Sequence, residues 1–403
     1  MKKGLGLLSL LIIFAGCGQK TPTRALEQWL EKEVDTRPAL SGLDFAAVPL
    51  SREEAQQAGE LLWQDRQAAV RERSREAWKE KCIRHNSLSL RFDYKVFGEK
   101  PEGGRSLYIS MHGGGNTATR VNDQQWNNQI RLYRPEEGVY IAPRAPWDDW
   151  NMWFKPAIDS LLDDLIQTAV TVMEVNPDKV YLMGYSAGGD GVYRLAPRMA
   201  DRWAAVAMMA GHPGEASMLN LRNLPFTLWM GELDAAYNRN RLAVERGLVL
   251  DSLQQADPGG YVHETHIVPG KGHWMERQDS VAVKWMARYR RNPLPDRIVW
   301  RQEEAVHPSF YWLAVPGGEC VHGATVVVER QGNEFDIKTS DYKKLTIRLN
   351  DELADLEQPV SVTYQGKILY NGKPERTIRT LYRTLTERGD RGLVFCSEIT
   401  VNL

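Results

Sequence analysis

The chain has 403 residues, of which 51 are lysine or arginine and 52 aspartate or glutamate, for a formal net charge of −1. A balance this even, with no long basic run, excludes the electrostatic footprint of a nucleic-acid binder or of a protein held by charge on an anionic membrane. With 42% hydrophobic residues the composition is globular, and the length predicts two or three folded units.

Lys2 and Lys3 precede an apolar stretch over residues 5–14, too short to cross a bilayer as a helix and laid out like an export signal. It runs into Phe14-Ala15-Gly16-Cys17. Small residues directly before a cysteine resemble the bacterial lipobox, which implies a lipoprotein signal over residues 1–16, cleavage ahead of Cys17 and a lipid on Cys17 that anchors the chain in the cell envelope. Gly18 in place of an aspartate favours the outer membrane in bacteria that sort by that position. Residues 17–50 mix Pro, Thr and charge and predict a tether, partly helical over 25–34. Residues 51–82 predict a charged helix; Ser51 and Glu54 have capping-box spacing. Its narrow stripe of Leu61, Leu62 and Ala69 predicts packing on the larger domain downstream.

Alternating runs over 87–92 and 94–97 open a β–α alternation that continues to about residue 289, the pattern of a mostly parallel sheet with helices on both faces. The strand-like run 107–111 ends in His112-Gly113-Gly114-Gly115-Asn116. A tetrahedral oxyanion needs backbone N–H groups that are close together and unpaired, which glycines permit, so Gly113 and Gly114 are candidate donors. Strand 139–142 leads into Trp147-Asp148-Asp149-Trp150-Asn151-Met152-Trp153-Phe154, expected over the carboxyl edge of the sheet. Trp147 and Trp150 there suit stacking on sugar rings or aromatic acyl groups, and the spacing of Trp150 and Trp153 equally suits one apolar helix face. The apolar run 180–183 ends in Gly184-Tyr185-Ser186-Ala187-Gly188. A strand that turns at once into a helix crowds its own backbone; the glycines relieve that clash and leave Ser186 exposed as a nucleophile, with the Ala187 N–H as a further oxyanion donor. His212, in Ala210-Gly211-His212-Pro213, reaches the same edge, to line a pocket or to cap a turn.

The glycine-rich loop, the elbow and their order resemble the α/β-hydrolases of serine esterase type with an HGGG-like oxyanion loop, over residues 83–292. The resemblance implies a mostly parallel, doubly wound sheet and a triad in the order serine, acid, histidine. On that basis Asp234, in Gly231-Glu232-Leu233-Asp234 after the run 226–230, is the acid, with Glu232 as the alternative. His273, in Pro269-Gly270-Lys271-Gly272-His273, is the base, and His266 within the preceding strand reads as a packed or surface residue. The implied reaction is ester hydrolysis through an acyl-enzyme, which calls for neither cofactor nor metal. Arg239, just past the acid, has a planar fork suited to a substrate carboxylate or to holding its own loop. The expected substrates are small-molecule or carbohydrate esters, acyl or feruloyl groups on polysaccharide among them. A peptidase of the prolyl-oligopeptidase type and a catalytically silent binding lipoprotein are the alternatives.

Pro293 and Pro295 mark a boundary, and residues 297–403 change to a period of two: Leu345, Ile347 and Leu349 alternate with polar residues, as do Val360, Val362 and Tyr364. With turn residues at 365–366 and 371–372 and further strands near 324–328 and 393–401, this unit predicts a small antiparallel β-sandwich. It contains no triad-like set. Export implies an oxidising compartment, in which Cys320 and Cys396 are the natural disulfide pair beside Cys82. No C-x-x-C spacing suggests zinc.

Overall fold

The computed structural model describes residues 21–403; the signal over residues 1–16 and the lipid acceptor Cys17 lie outside the described residues. Residues 21–50, expected as a tether, are instead packed. Helix α1 (Pro22–Leu30) is capped by Thr21 and buries Leu26 and Trp29, and the turns after it bury Leu40, Ala46 and Leu50. These apolar side chains are scattered over an irregular segment, so no periodicity announces them, yet each is removed from water. Arg37 then grips Asp65 of α2 (Arg52–Glu80) through hydrogen bonds of 2.7 and 2.9 Å. At the start of α2, Ser51 and Glu54 satisfy each other's backbone N–H at 3.2 and 2.9 Å.

Beyond α2 lies an eight-stranded sheet. Its strands and helices are β1 (Cys82–His85), β2 (Leu88–Phe97), β3 (Arg105–Met111), α3 (Thr119–Leu132), β4 (Gly138–Arg144), α4 (Ala157–Met173), β5 (Val175–Tyr185), α5 (Ala187–Arg198), β6 (Ala205–Met209), β7 (Phe226–Gly231), α6 (Arg239–Ala256), β8 (His263–Val268) and α7 (Val281–Met286). The spatial order is β1-β2-β4-β3-β5-β6-β7-β8. Only β2 runs against its neighbours; every pairing from β4 to β8 is parallel. β2 is one strand where two runs were expected. Side-chain alternation builds two apolar layers. Val180 and Leu182 of β5 join Leu161 of α4 and Leu195 of α5. Tyr181, Met183 and Tyr185 join Trp285 and Met286 of α7 on the other face. The loops that carry the candidate site residues leave the carboxyl ends of β3, β5, β7 and β8, and the chain order reverses between β3 and β5.

The second unit has two sheets. β9 (Arg297–Arg301), β10 (Ser309–Phe310), β11 (Leu313–Ala314), β12 (Thr325–Gln331), β13 (Glu334–Ser340), β14 (Lys344–Leu349), β15 (Val360–Tyr364), β16 (Lys367–Gly372), α8 (Ile378–Arg388) and β17 (Ser397–Asn402) form it. They make a four-stranded sheet, β10-β11-β14-β17, and a five-stranded sheet, β16-β15-β13-β12-β9. The antiparallel expectation fails at one pair: β13 and β15 are parallel, because the intervening β14 lies in the other sheet and returns the chain in the original direction. α8, unexpected from the sequence, buries Ile378, Leu381 and Leu385. Positive φ at Gln365 (51°) and Gly366 (76°) makes the tight β15–β16 turn, whereas Asn371 and Gly372 belong to β16. Cys82, Cys320 and Cys396 are free. The expected pair is not formed: Cys320 faces the carbonyls of His307 and Pro316, while Cys396 faces that of Leu349.

The two units share one apolar core, which runs from Leu161 and Leu195 through Ile298 and Phe310 to Leu345 and Ile399. A buried ion network crosses the same boundary. Arg291 binds Asp390 and Asp178, Arg202 binds Asp390 and Asp163, and Arg388 binds Asp201. No helix among the described residues is long and apolar enough to cross a membrane.

Candidate active site

Ser186 has φ 59° and ψ −120°, a conformation a side chain rarely adopts. It is held by its own N–H, which donates to Met209 O of β6 at 2.9 Å. The flanking glycines are a steric requirement: a Cβ on Gly184 would come within 2.3 Å of Gly188 O.

The structure brings Ser186, His273 and Asp234 into one line. His273 Nε2 lies 2.9 Å from Ser186 Oγ, and His273 Nδ1 lies 2.7 Å from Asp234 Oδ2. A carboxylate only accepts, so Nδ1 carries the proton and Nε2 is free to receive that of the serine hydroxyl. Asp234 is buried, and Glu232, the alternative acid, is exposed and accepts from Gly270 N at 2.8 Å, bracing the loop that leads to His273. His266 stacks on Trp229, with ring centroids 3.9 Å apart. Tyr185 was not singled out by sequence. Its hydroxyl donates to His273 O at 2.6 Å and accepts from Met275 N at 3.0 Å, so the residue before Ser186 also holds the loop of His273. Burial raises the Tyr185 pKa and keeps that donor protonated.

On the other flank, a Cβ on Gly113 would meet Ser186 Cβ at 3.1 Å, which sets how closely the glycine-rich loop approaches. The N–H groups of Gly113, Gly114 and Ala187 donate to no acceptor among the described residues, whereas Gly115 N donates to the buried Asn122 Oδ1 at 2.8 Å. Asn122 in turn donates to Asp148 at 2.9 Å, which Arg144 also binds. His112 is fully buried and structural: its Nε2 accepts from Ala145 N at 3.1 Å, so the proton sits on Nδ1 and is donated to Gly113 O at 2.6 Å. Burial lowers its pKa to about 4, so it stays neutral near pH 7.

A cleft of about 510 Å³ opens over this constellation, lined by Gly113, Gly114, Gln129, Tyr185, His273 and Trp274 among others. Trp147 and Trp150 do not line it. Trp147 lies under Lys155 Nζ, 4.5 Å from the ring centroid. Trp150 is 62% exposed and borders the glycine-rich loop through its backbone. The segment is a series of turns, with Trp153 buried and donating to His112 O at 2.8 Å, so Trp150 and Trp153 share no helix face. Trp274, 50% exposed, is, besides Tyr185, an aromatic residue at the cleft to which the sequence assigned no role. His212 follows β6 and Arg239 opens α6 after β7, and neither lines the cleft. Burial and the guanidiniums of Arg239, Arg194 and Arg246 lower the His212 pKa.

No family model matches the chain, and no curated protein matches it. Among solved structures, it is similar to a thermostable esterase at 15% identity and a TM-score of 0.41, over 52% of this chain and 62% of that one. It is similar to a ferulic acid esterase at 14% identity and a TM-score of 0.36, over 51% of this chain and 95% of the other. It is also similar to an α/β serine hydrolase homologue from Coxiella burnetii at 10% identity and a TM-score of 0.34, over 51% and 94%. Likenesses this remote carry no argument about activity; the order and sense of the eight strands define the architecture. The fold is that of the α/β-hydrolases.

Proposed function

We propose that the chain is a serine hydrolase of carboxylic esters, with Ser186 as nucleophile, His273 as base and Asp234 as acid. The observation that carries this reading is the unbroken line of hydrogen bonds, 2.9 and 2.7 Å, from Ser186 Oγ through the imidazole to a buried carboxylate. His273 takes the hydroxyl proton as Oγ attacks the acyl carbon, then returns it to the departing alkoxide. Asp234 fixes the tautomer and balances the imidazolium. Free N–H groups of Gly113, Gly114 and Ala187 stabilise the oxyanion, and water repeats the cycle on the acyl-enzyme. The same proposal assigns the chain to the bacterial envelope, exported and lipidated at Cys17, acting on acyl or feruloyl esters of polysaccharide. The open cleft with Trp274 at its rim supports substrates that bring an apolar or ring-shaped group.

A fluorophosphonate is expected to label the wild type once and Ser186→Ala not at all; labelling that survives the substitution refutes the nucleophile. Hydrolysis of short and long acyl esters, feruloylated sugars and peptides, run beside Ser186→Ala, reads the substrate class. Cys17→Ser is expected to release the protein from the membrane fraction with its kinetics on soluble esters unchanged.

A further inference from the structure

We propose that the turn after β6 and the start of α6, which follows Asp234 in the chain, form an anion subsite, which receives a carboxylate carried by the ester substrate. The inference rests on the ester-hydrolysis reading and names its substrate class. After β6 the chain turns through His212 and Gly214, and arginines from α5 and α6 gather around that turn. Arg246 Nη2 donates to Gly214 O at 3.1 Å. Arg194 lies so near that a Cβ on Gly214 would come within 2.0 Å of its Nη2. Arg239, at the start of α6, stacks its guanidinium against the ring of Tyr237, 4.9 Å from the centroid.

What marks this cluster is donors left without acceptors among the described residues. Arg194 alone of the three has a carboxylate within hydrogen-bonding reach, Glu304 at 2.5 Å. The Arg239 side chain is 14% exposed, and its nearest carboxylate oxygen, Asp234 Oδ1, is 3.7 Å away. That separation is too long for a hydrogen bond, and the buried Arg239 Nε has no acceptor among the described residues. His212 adds another donor. Its Nδ1 accepts from Gly214 N at 3.0 Å, so the proton of the neutral ring sits on Nε2, which is left without a partner among the described residues.

Two nearby carboxylates each commit one oxygen elsewhere: Asp190 Oδ1 accepts from His212 N at 2.6 Å, and Asp234 Oδ2 is turned to His273 at 2.7 Å. A planar guanidinium placed over an aromatic ring, with no hydrogen-bonded carboxylate among the described residues, suits two parallel bonds to a carboxylate. Had Arg239 only to hold Asp234, it would sit at hydrogen-bonding distance from it. A substrate carboxylate supplies Arg239 with an acceptor next to Asp234, which the proposed function makes the acid of the triad.

The test compares anionic esters with neutral partners of similar size. 4-Nitrophenyl hydrogen glutarate against 4-nitrophenyl pentanoate puts the charge on the acyl side, and 4-acetoxybenzoate against its methyl ester puts it on the leaving group. In Arg239→Gln the ratio of kcat/KM, anionic over neutral, is expected to fall about 10- to 100-fold, through KM, in one of the two arms. Arg246→Gln, in the same cluster, should lower the same ratio and guards against a folding defect in the first variant. A loss of kcat that is equal on both members of each pair, with the ratios intact, overturns the subsite and leaves Arg239 as a support for Asp234. Independently of turnover, glutarate is titrated calorimetrically into Ser186→Ala with and without Arg239→Gln. Binding that disappears with the arginine upholds the subsite, and absence of binding to Ser186→Ala overturns it even where esters are cleaved. Glutarate binding by a wild type that cleaves no ester removes the esterase reading and leaves the anion site standing.

Discussion

Asp234→Asn preserves the shape of the acid and removes its charge, which turns the imidazole to the wrong tautomer. Turnover is expected to fall by about 10⁴-fold with the fold retained, while Glu232→Gln, whose amide oxygen can still accept from Gly270 N, should cost far less; steady-state kinetics on one ester check both. Asp190, one turn beyond Ser186, gives a pH-dependent test. Its burial pushes the carboxyl pKa up to about 6, against roughly 4 in an unfolded chain. A raised value favours the protonated form in the fold, so this stabilising contribution is complete below about pH 4 and disappears as the pH rises through 6. Asp190→Asn should therefore melt higher than the wild type at pH 7, by at most about 2 kcal/mol after allowance for partial exposure, and alike at pH 4. At this scale the motifs named Ser186, Asp234 and His273, which the structure brings together, because the elbow and the loops after β7 and β8 have local signatures. The bond from Tyr185 to His273 had no such signature, since it joins residues 88 apart in the chain.

Elements whose burial is periodic were legible, α8 excepted, and those whose burial is irregular were not. The alternation of β14 and β15 shows in their residues, as does the capping box of α2. Residues 21–50 escaped because Leu26, Trp29, Leu40, Ala46 and Leu50 follow no repeat. α8 escaped because a short amphipathic helix was not expected among strands, and the parallel β13–β15 pair depends on which sheet receives β14. A chain beginning at Ser51 loses five buried apolar residues, each worth about 1.5–3 kcal/mol when the side chain is large. Thermal unfolding is expected at a clearly lower temperature, with ester turnover retained because Ser186, Asp234 and His273 make no bond to this segment. An unchanged melting temperature would show that the packing of α1 contributes nothing.

Across the whole molecule the eight-stranded sheet and the two smaller sheets are joined by charge as well as by apolar contact. Burial alone would raise the pKa of Asp390, but Arg291, Arg202 and Arg388 hold its carboxyl well below the usual carboxylate range. A lowered value means that its stabilisation is complete above about pH 4 and lost as the pH falls below that. Asp390→Asn leaves Arg291 and Arg202 short of a counter-charge in the interior and is expected to cost about 3–5 kcal/mol at pH 7. Between pH 5 and 3 the melting temperature of the wild type should drop more steeply than that of the variant, as differential scanning calorimetry will read. The same latch constrains how this protein can have been assembled. A stretch of chain beyond residue 297 grafted onto another hydrolase would bring Arg388 and Asp390 without Asp201, Arg202 and Arg291 to meet them, and would plant orphan charges inside its new host. The joint at 292–297 is thus a poor site for recombination, and change on either side of it has to arrive as matched pairs of acid and base.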